Sequence, residues 1–219
     1  MALRAVVFDL DGLMFNTEDL YREVGTEVLR RRGKSLETDL LDAMMGRRPA
    51  QALAIMIEWH DLEASVEQLA AESKEIFVPI LDAKLAPMPG LIDLLSALEA
   101  ADIPKSVATS SGREFVENVM GRFDLISRFD FLLTAEDVEH GKPHPEIYLT
   151  AAERFSVEPA EMMVLEDSEN GCKAAVASGA FAVAVPASRS LVHDFEGAAL
   201  VAETLSDTRV YEALGLNRA

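Results

Sequence analysis

Ala5-Val6-Val7-Phe8-Asp9-Leu10-Asp11-Gly12 is a run of four apolar residues leading straight into two carboxylates and a glycine. A short, unbroken apolar run bounded by a turn signal suits a strand buried on both faces, as in a parallel sheet. Ser106-Val107-Ala108, Met163-Val164-Leu165 and Phe181-Ala182-Val183-Ala184-Val185 have the same form, and Phe129-Asp130-Phe131-Leu132-Leu133 is a more alternating fifth candidate. Between the runs lie apolar stripes of helical period. One is Leu91, Leu94, Leu95 and Leu98; another is Phe115, Val116, Val119 and Met120. A third, Ile147, Tyr148, Ala151, Ala152 and Phe155, opens at His144-Pro145 with proline in the first helical position. Strands alternating with such helices predict βαβ units, hence an α/β fold around a parallel sheet.

The segment from Thr17 to Ala86 departs from this rhythm, with no convincing strand. Leu20, Tyr21, Val24, Val28 and Leu29 form one helical face. Val66, Leu69, Ala70, Ile76, Phe77, Ile80 and Leu81 form another, opened by a capping-box pattern at Ser65 and Gln68. A further helical stretch, 50–58, follows Pro49. An all-helical insert directly after the first strand is expected, with Pro87-Met88-Pro89-Gly90 marking the return to the core. The expected organisation is a core of residues 1–15 and 87–219 and an insert of 16–86.

With 219 residues the chain suits one core domain carrying a smaller insert. Hydrophobic residues are 49% and charged residues 26%, a globular mixture that argues against disorder. No apolar stretch approaches a membrane span, and the first ends at Asp9, too early for a secretory signal. The single cysteine, Cys172, has no internal partner, which points to a reducing compartment and a cytoplasmic location. Twenty Lys and Arg against 38 Asp and Glu give a net charge of −18, a field that repels nucleic acid and anionic lipid. An anionic substrate would therefore need a local reversal of sign.

Four polar constellations fall at one edge of the predicted sheet. If the chain stays extended past Phe8, Asp9 and Asp11 lie two apart and face one pocket. Their repulsion invites a divalent cation with oxygen ligands, although, taken alone, a polar strand end turning at Gly12 is the plainer reading. Thr109-Ser110-Ser111-Gly112 runs from a strand into a helix, whose first amides form an anion site; as plain N-caps they are also unremarkable. Lys142, in Gly141-Lys142-Pro143, is either a solvated loop charge or a point charge for a phosphate oxygen. Glu166-Asp167-Ser168 again places acids after a strand, where they either complete a carboxylate cage begun by Asp9 or complement a helix start capped by Ser168.

Taken together, acids for a cation, hydroxyls and amides for an anion, and one lysine are what phosphoryl transfer requires. Phe8-Asp9-Leu10-Asp11-Gly12-Leu13, Ala108-Thr109-Ser110-Ser111, Gly141-Lys142-Pro143 and Leu165-Glu166-Asp167-Ser168 resemble, in order and spacing, the haloacid dehalogenase superfamily. The match spans essentially the whole chain. The resemblance implies a Rossmann-like core with an inserted helical cap of the first type, near the β-phosphoglucomutase and sugar-phosphatase branch. It implies Asp9 as the nucleophile that forms an aspartyl-phosphate, and Asp11 as general acid and then base. Thr109, Ser110 and Lys142 are implied to hold the phosphoryl group. Mg²⁺ is implied on Asp9, the main chain of Asp11, and Asp167, with Glu166 one layer behind. The family's cap reads the leaving group, and its recognition loop corresponds to Met44-Met45-Gly46-Arg47-Arg48-Pro49. Arg47, Arg48 and Glu18 are thus candidate substrate contacts. Asn16 stands where close relatives often carry Asp, which bears on the hinge rather than the chemistry.

The activity expected from the resemblance is Mg²⁺-dependent hydrolysis of small phosphomonoesters by a monomer or homodimer. A β-phosphoglucomutase-type mutase shares every core motif, but its cap-loop arginine falls where this chain has Pro49 or its neighbours. A non-catalytic binding protein would have lost one of the four polar groups, and a dehalogenase would have no use for Asp11 and the metal acids. His140 and His144 flank Lys142 without metal-ligand spacing and are expected to be loop residues.

Overall fold

The computed structural model describes residues 2–44, 47, 49–186 and 194–216. Its strands are β1 (Ala5–Phe8), β2 (Lys105–Ala108), β3 (Phe131–Leu133), β4 (Met162–Glu166), β5 (Phe181–Ala184) and β6 (Leu200–Val201). They form one parallel sheet in the order β3-β2-β1-β4-β5-β6. The helices, in chain order, are α1 (Thr17–Arg30), α2 (Thr38–Met44), α3 (Pro49–His60), α4 (Val66–Lys84), α5 (Leu91–Ala100), α6 (Arg113–Gly121), α7 (Glu146–Phe155), α8 (Glu169–Ser178) and α9 (Thr208–Ala213).

The apolar run of β1 is unbroken because both sides of the sheet are covered. Val6 and Phe8 pack with α5, α6 and α9 on one face. Ala5 and Val7 pack with α7 and α8 on the other. All four are fully buried, and complete burial of a side chain such as Phe8 contributes about 1.5–3 kcal/mol. This is the Rossmann-like α/β architecture expected.

β2 starts one residue before the stretch read from the sequence, β4 extends one residue further at each end, β5 stops one residue sooner, and Phe129 lies outside its strand, which starts at Phe131. α7 begins at Glu146, with Pro145 as the residue before it rather than the first helical position. β6 was not foreseen, since two residues at a sheet edge carry no periodic signal.

Between residues 17 and 84 the described residues hold α1 to α4 and no strand. These helices bury a core of their own: Val24, Val28, Leu29, Leu40, Met56 and Leu69. The Ser65–Gln68 capping box is formed in both directions and starts α4. The two crossings to the sheet lie side by side, with Met88 N–H donating to Met14 O at 2.8 Å and Asn16 N–H to Ala86 O at 3.2 Å. The Asn16 side chain ties them again. Its Nδ2 donates to Lys84 O at 3.1 Å, and its Oδ1 accepts Ala86 N–H at 2.8 Å. An aspartate at this position would lack the donor.

Candidate active site

Strand register brings the polar residues together. Phe8 lies level with Val107 of β2 and Leu165 of β4, so the next residue, Asp9, emerges between Ala108 and Glu166. Its N–H continues the ladder to Leu165 O at 3.0 Å. Lys142 reaches this point from the loop before α7. Its Nζ lies 2.5 Å from Asp9 Oδ1, 2.6 Å from Glu166 Oε1 and 3.0 Å from Ala108 O. The side chain is only 3% exposed. Burial disfavours its charge, but the Asp9 and Glu166 carboxylates outweigh that and hold its pKa above the usual lysine value. An ammonium has three N–H groups, and here all three are engaged. A phosphoryl oxygen bound by Lys142 therefore displaces one of these partners, and the neutral Ala108 carbonyl is the least costly to release.

Asp11 lies beside Asp9 because the chain turns at Gly12. Gly12 has φ +77°, and a Cβ there would stand 2.1 Å from Asp167 Oδ2, so both backbone sign and space require glycine. Asp11 Oδ2 accepts Ser111 Oγ at 2.5 Å and faces Thr109 Oγ1 at 3.4 Å. Burial raises the Asp11 pKa, opposed first by the hydrogen bond from Ser111 and then by that from Thr17. Asp9 is also raised well above the carboxylate norm, by burial first; Lys142 opposes this, and Glu166 and Asp11 add to it. The N-cap of α6 is Gly112, without a side-chain cap bond. Thr109 and Ser110 are thus not the N-caps of that helix, and the plainer explanation of their hydroxyls does not hold. Ser110 makes no hydrogen bond to another group among the described residues, so its N–H and Oγ have no protein partner there.

The acidic end of β4 completes the pocket. Glu166 is fully buried and doubly held, with Oε1 accepting Lys142 and Tyr148 Oη, the latter at 2.5 Å, and Oε2 accepting Ser168 Oγ at 3.1 Å. Ser168 caps α8 through Gly171 N–H at 3.1 Å, as its position suggested. Asp167 is raised by burial first and then by Asp9 and Glu18. Glu18, half-buried in the first turn of α1, is pushed up to about 7 by burial and then by Asp11. Burial and the Glu166 charge push the Cys172 thiol up to about 12, leaving it an unreactive core residue.

The structure thus gathers Asp9, Asp11, Thr109, Ser110, Lys142, Glu166, Asp167 and Glu18 at the carboxyl edge of the sheet. Arg47 is not drawn in; it is exposed, with Nε donating to Ala43 O at 2.9 Å. Arg48 lies outside the described residues. Ser111, Thr17 and Tyr148 were not singled out from the sequence. Ser111 sat within the quoted hydroxyl run, whereas Tyr148 was concealed in an apolar stripe.

The residues present fit a divalent cation. Asp9, Glu166 and Asp167 each offer an oxygen within 4.8 Å of the others. Among the described residues, Asp167 Oδ2 and Asp11 Oδ1 are buried without a hydrogen-bond partner, an arrangement that is unfavourable unless an ion or water completes it. Because both Glu166 oxygens are already engaged, Asp9 and Asp167 are the side chains open to a cation, with Glu166 behind them.

Residues 6–185 match the family described as haloacid dehalogenase-like hydrolase. The chain is 32% identical over 205 residues to validoxylamine A 7'-phosphate phosphatase of Streptomyces hygroscopicus subsp. limoneus, covering 93% of each. It is 33% identical over 177 residues to the phosphorylated carbohydrates phosphatase of Thermotoga maritima, covering 81% of this chain and 82% of that one. A solved structure of a β-phosphoglucomutase homologue from Thermotoga maritima superimposes with a TM-score of 0.75 at 30% identity, covering 97% of each chain. The chain belongs to the haloacid dehalogenase-like hydrolases and is a phosphatase among them. Among the described residues, no helix is long and apolar enough to cross a membrane.

Proposed function

We propose that the chain is a Mg²⁺-dependent phosphatase of small sugar, polyol or nucleoside-type phosphomonoesters, acting in the cytoplasm, with residues 16–86 as a cap over a core of 1–15 and 87–219. The observation that carries this reading is the pocket itself: Asp9 fixed by Lys142 at 2.5 Å, with Asp11 beside it and the buried Asp167 Oδ2 without a partner. Relatives named for phosphorylated carbohydrates and for validoxylamine A 7'-phosphate support the substrate class.

Mg²⁺, held by Asp9, Asp167 and the Asp11 main chain, would neutralise the carboxylates and the transferring group. Asp9, positioned by Lys142, attacks phosphorus; an Asp9 O–P bond forms as the ester P–O bond breaks. Asp11 gives its proton to the departing alkoxide, then takes one from the water that cleaves the Asp9 O–P bond and releases phosphate. Burial raises the Asp11 pKa and so favours its protonated form, while Ser111 fixes the carboxyl's direction. Thr109 Oγ1 and the free N–H and Oγ of Ser110 meet the phosphoryl oxygens, joined by Lys142 once it releases Ala108 O.

Asp9→Asn leaves the chain folded and abolishes phosphate release from p-nitrophenyl phosphate in Mg²⁺; an unchanged rate removes Asp9 as nucleophile. A panel of phosphorylated metabolites identifies the substrate. A sugar 1-phosphate in that panel yields free phosphate under this reading and the 6-phosphate under the mutase alternative.

A further inference from the structure

Outside the carboxylate pocket, the loop that carries Lys142 folds back so that His140, His144 and Glu146 converge. His140 Nδ1 lies 2.8 Å from Glu146 Oε2, and His144 Nδ1 lies 3.8 Å from the same oxygen. The imidazole rings stand 4.6 Å apart, tilted by 34°. One ligand atom from each of the three residues lies within 4.8 Å of the others. Zinc bonds to imidazole nitrogen and carboxylate oxygen are about 2.0–2.1 Å, which sets ligand-to-ligand edges of roughly 3.0 Å in an octahedron and 3.4 Å in a tetrahedron. The two observed nitrogen-to-oxygen separations bracket those edges.

The three groups are also held in place by the backbone around them. The Glu146 carboxylate accepts Glu139 N–H at 2.8 Å and His140 N–H at 2.9 Å, and His144 N–H donates to Gly141 O at 3.1 Å. Those bonds, led by the Glu139 N–H, hold the Glu146 pKa down to about 2, so the residue is an anion at neutral pH. His144 Nδ1 accepts Glu146 N–H at 3.3 Å. That contact uses the single lone pair of Nδ1, so an ion bound at this nitrogen displaces the long Glu146 N–H bond. His140 and His144 are 62% and 51% exposed at the side chain, leaving room for solvent ligands.

We propose that His140, His144 and Glu146 form a second metal site, separate from the Asp9 and Asp167 pocket, that takes a divalent transition ion such as Zn²⁺, Co²⁺ or Ni²⁺ with water completing the shell. Two imidazoles and one carboxylate select ions of this kind over Mg²⁺, which keeps to oxygen. An ion bound at His140 Nδ1 takes the place of the proton between that nitrogen and Glu146 Oε2, which a neutral imidazole then carries on Nε2. Because His140 and His144 sit two residues either side of Lys142, an ion here braces the segment that delivers the lysine to Asp9. The proposal stands independently of which phosphomonoester the pocket takes.

The test uses the full chain, stripped by chelator and returned to millimolar Mg²⁺ so that the carboxylate pocket is competed. Zn²⁺ is titrated by calorimetry into the native chain and into His140→Ala, His144→Ala and the double variant. The native chain is expected to bind one Zn²⁺ with a rise in melting temperature. Each single variant weakens that binding by about tenfold or more, and the double variant abolishes it. All the variants keep native Mg²⁺-supported p-nitrophenyl phosphate hydrolysis and native melting in the absence of Zn²⁺. The proposal is overturned if the native chain takes up no Zn²⁺ beyond what Mg²⁺ displaces, or if the double variant binds Zn²⁺ as the native chain does.

Discussion

Gly171→Ala sets helix propensity against the space required by the Glu166 carboxylate. Gly171 lies in the first turn of α8, and alanine in a helix is favoured over glycine by about 0.5–1 kcal/mol. A Cβ on Gly171, however, would stand 1.8 Å from Glu166 Oε1, 1.9 Å from its Cδ and 2.2 Å from its Oε2. The carboxyl would have to retreat by about 1.5 Å to restore ordinary contact, yet Lys142 and Tyr148 hold Oε1 at 2.6 and 2.5 Å and Ser168 holds Oε2. Losing two hydrogen bonds to a buried charge costs about 1.5–3 kcal/mol each, so the steric effect wins and the net loss is roughly 2–5 kcal/mol. Urea unfolding at constant m-value measures it, and phosphate release from p-nitrophenyl phosphate should fall by about tenfold or more as Lys142 loses an anchor. Gly121→Ala is the control. Its Cβ meets nothing nearer than Ile126 Cδ1 at 3.9 Å, so it should gain a few tenths to about 1 kcal/mol. The alanine cost at 171 should also shrink sharply in a Glu166→Ala background. If Gly171→Ala unfolds at the native midpoint with native activity, Glu166 is not confined as described.

Tyr148→Phe keeps the ring that lies 5.1 Å from Lys142 Nζ but removes the donor to Glu166 Oε1; urea unfolding should show a loss of about 1–3 kcal/mol, with kcat falling more than KM changes. Asn16→Asp keeps the acceptor for Ala86 N–H and loses the donor to Lys84 O, so it should destabilise by about 1 kcal/mol and speed amide exchange at Ala86 and Met88. Glu18, whose pKa stands at about 7 against an ordinary 4.5, binds a proton more tightly folded than unfolded. Stability of the chelator-treated chain should therefore fall as pH rises from about 4.5 to 7, by up to roughly 3 kcal/mol from this group; Glu18→Gln should flatten that limb in urea midpoints at pH 5 and 8, and an unchanged slope assigns it elsewhere.

Most of the sheet was legible because β1, β2, β4 and β5 are covered on both faces, which makes β1 and β5 wholly apolar and leaves shorter apolar runs in β2, after Lys105-Ser106, and in β4, before Glu166. β6 pairs only Leu200 and Val201 with Val183 and Ala184, and two residues carry no period. The site was legible where a polar residue interrupts an apolar run, as Asp9, Thr109 and Asp167 do. It was illegible where function and packing call for the same residue type. Tyr148 occupies a core position between α7 and the sheet, and only the direction of its hydroxyl, toward Glu166, distinguishes it from the buried Ile147 beside it. Gly171 reads as an indifferent helix glycine until the carboxyl behind it is in view. His140, His144 and Glu146 fit neither the strand nor the helix period, and a loop reversal unites them.

The charge problem posed by the composition takes a different form in three dimensions. Lys142 appeared from the sequence to be one of the groups that turn an acidic surface toward an anion. In the fold it touches two carboxylates and balances only one of them, and Asp11, Asp167 and Glu18 stand around the same pocket. The lysine therefore cannot reverse the sign alone. Burial drives the pKa of Asp9, Asp11 and Asp167 upward, so the bare pocket favours protonated carboxyls over three more buried charges. A nucleophilic Asp9 must be ionised, and Asp11 must keep its proton until the alkoxide leaves. Those two demands are met together only if positive charge is placed beside Asp9 and Asp167 and away from Asp11, where Ser111 and Thr17 hold the acid by hydrogen bonds rather than by an ion pair. The geometry has that asymmetry: Lys142 bonds Asp9 directly and acts on Asp11 only at a distance, as a lesser influence than the Ser111 and Thr17 hydroxyls.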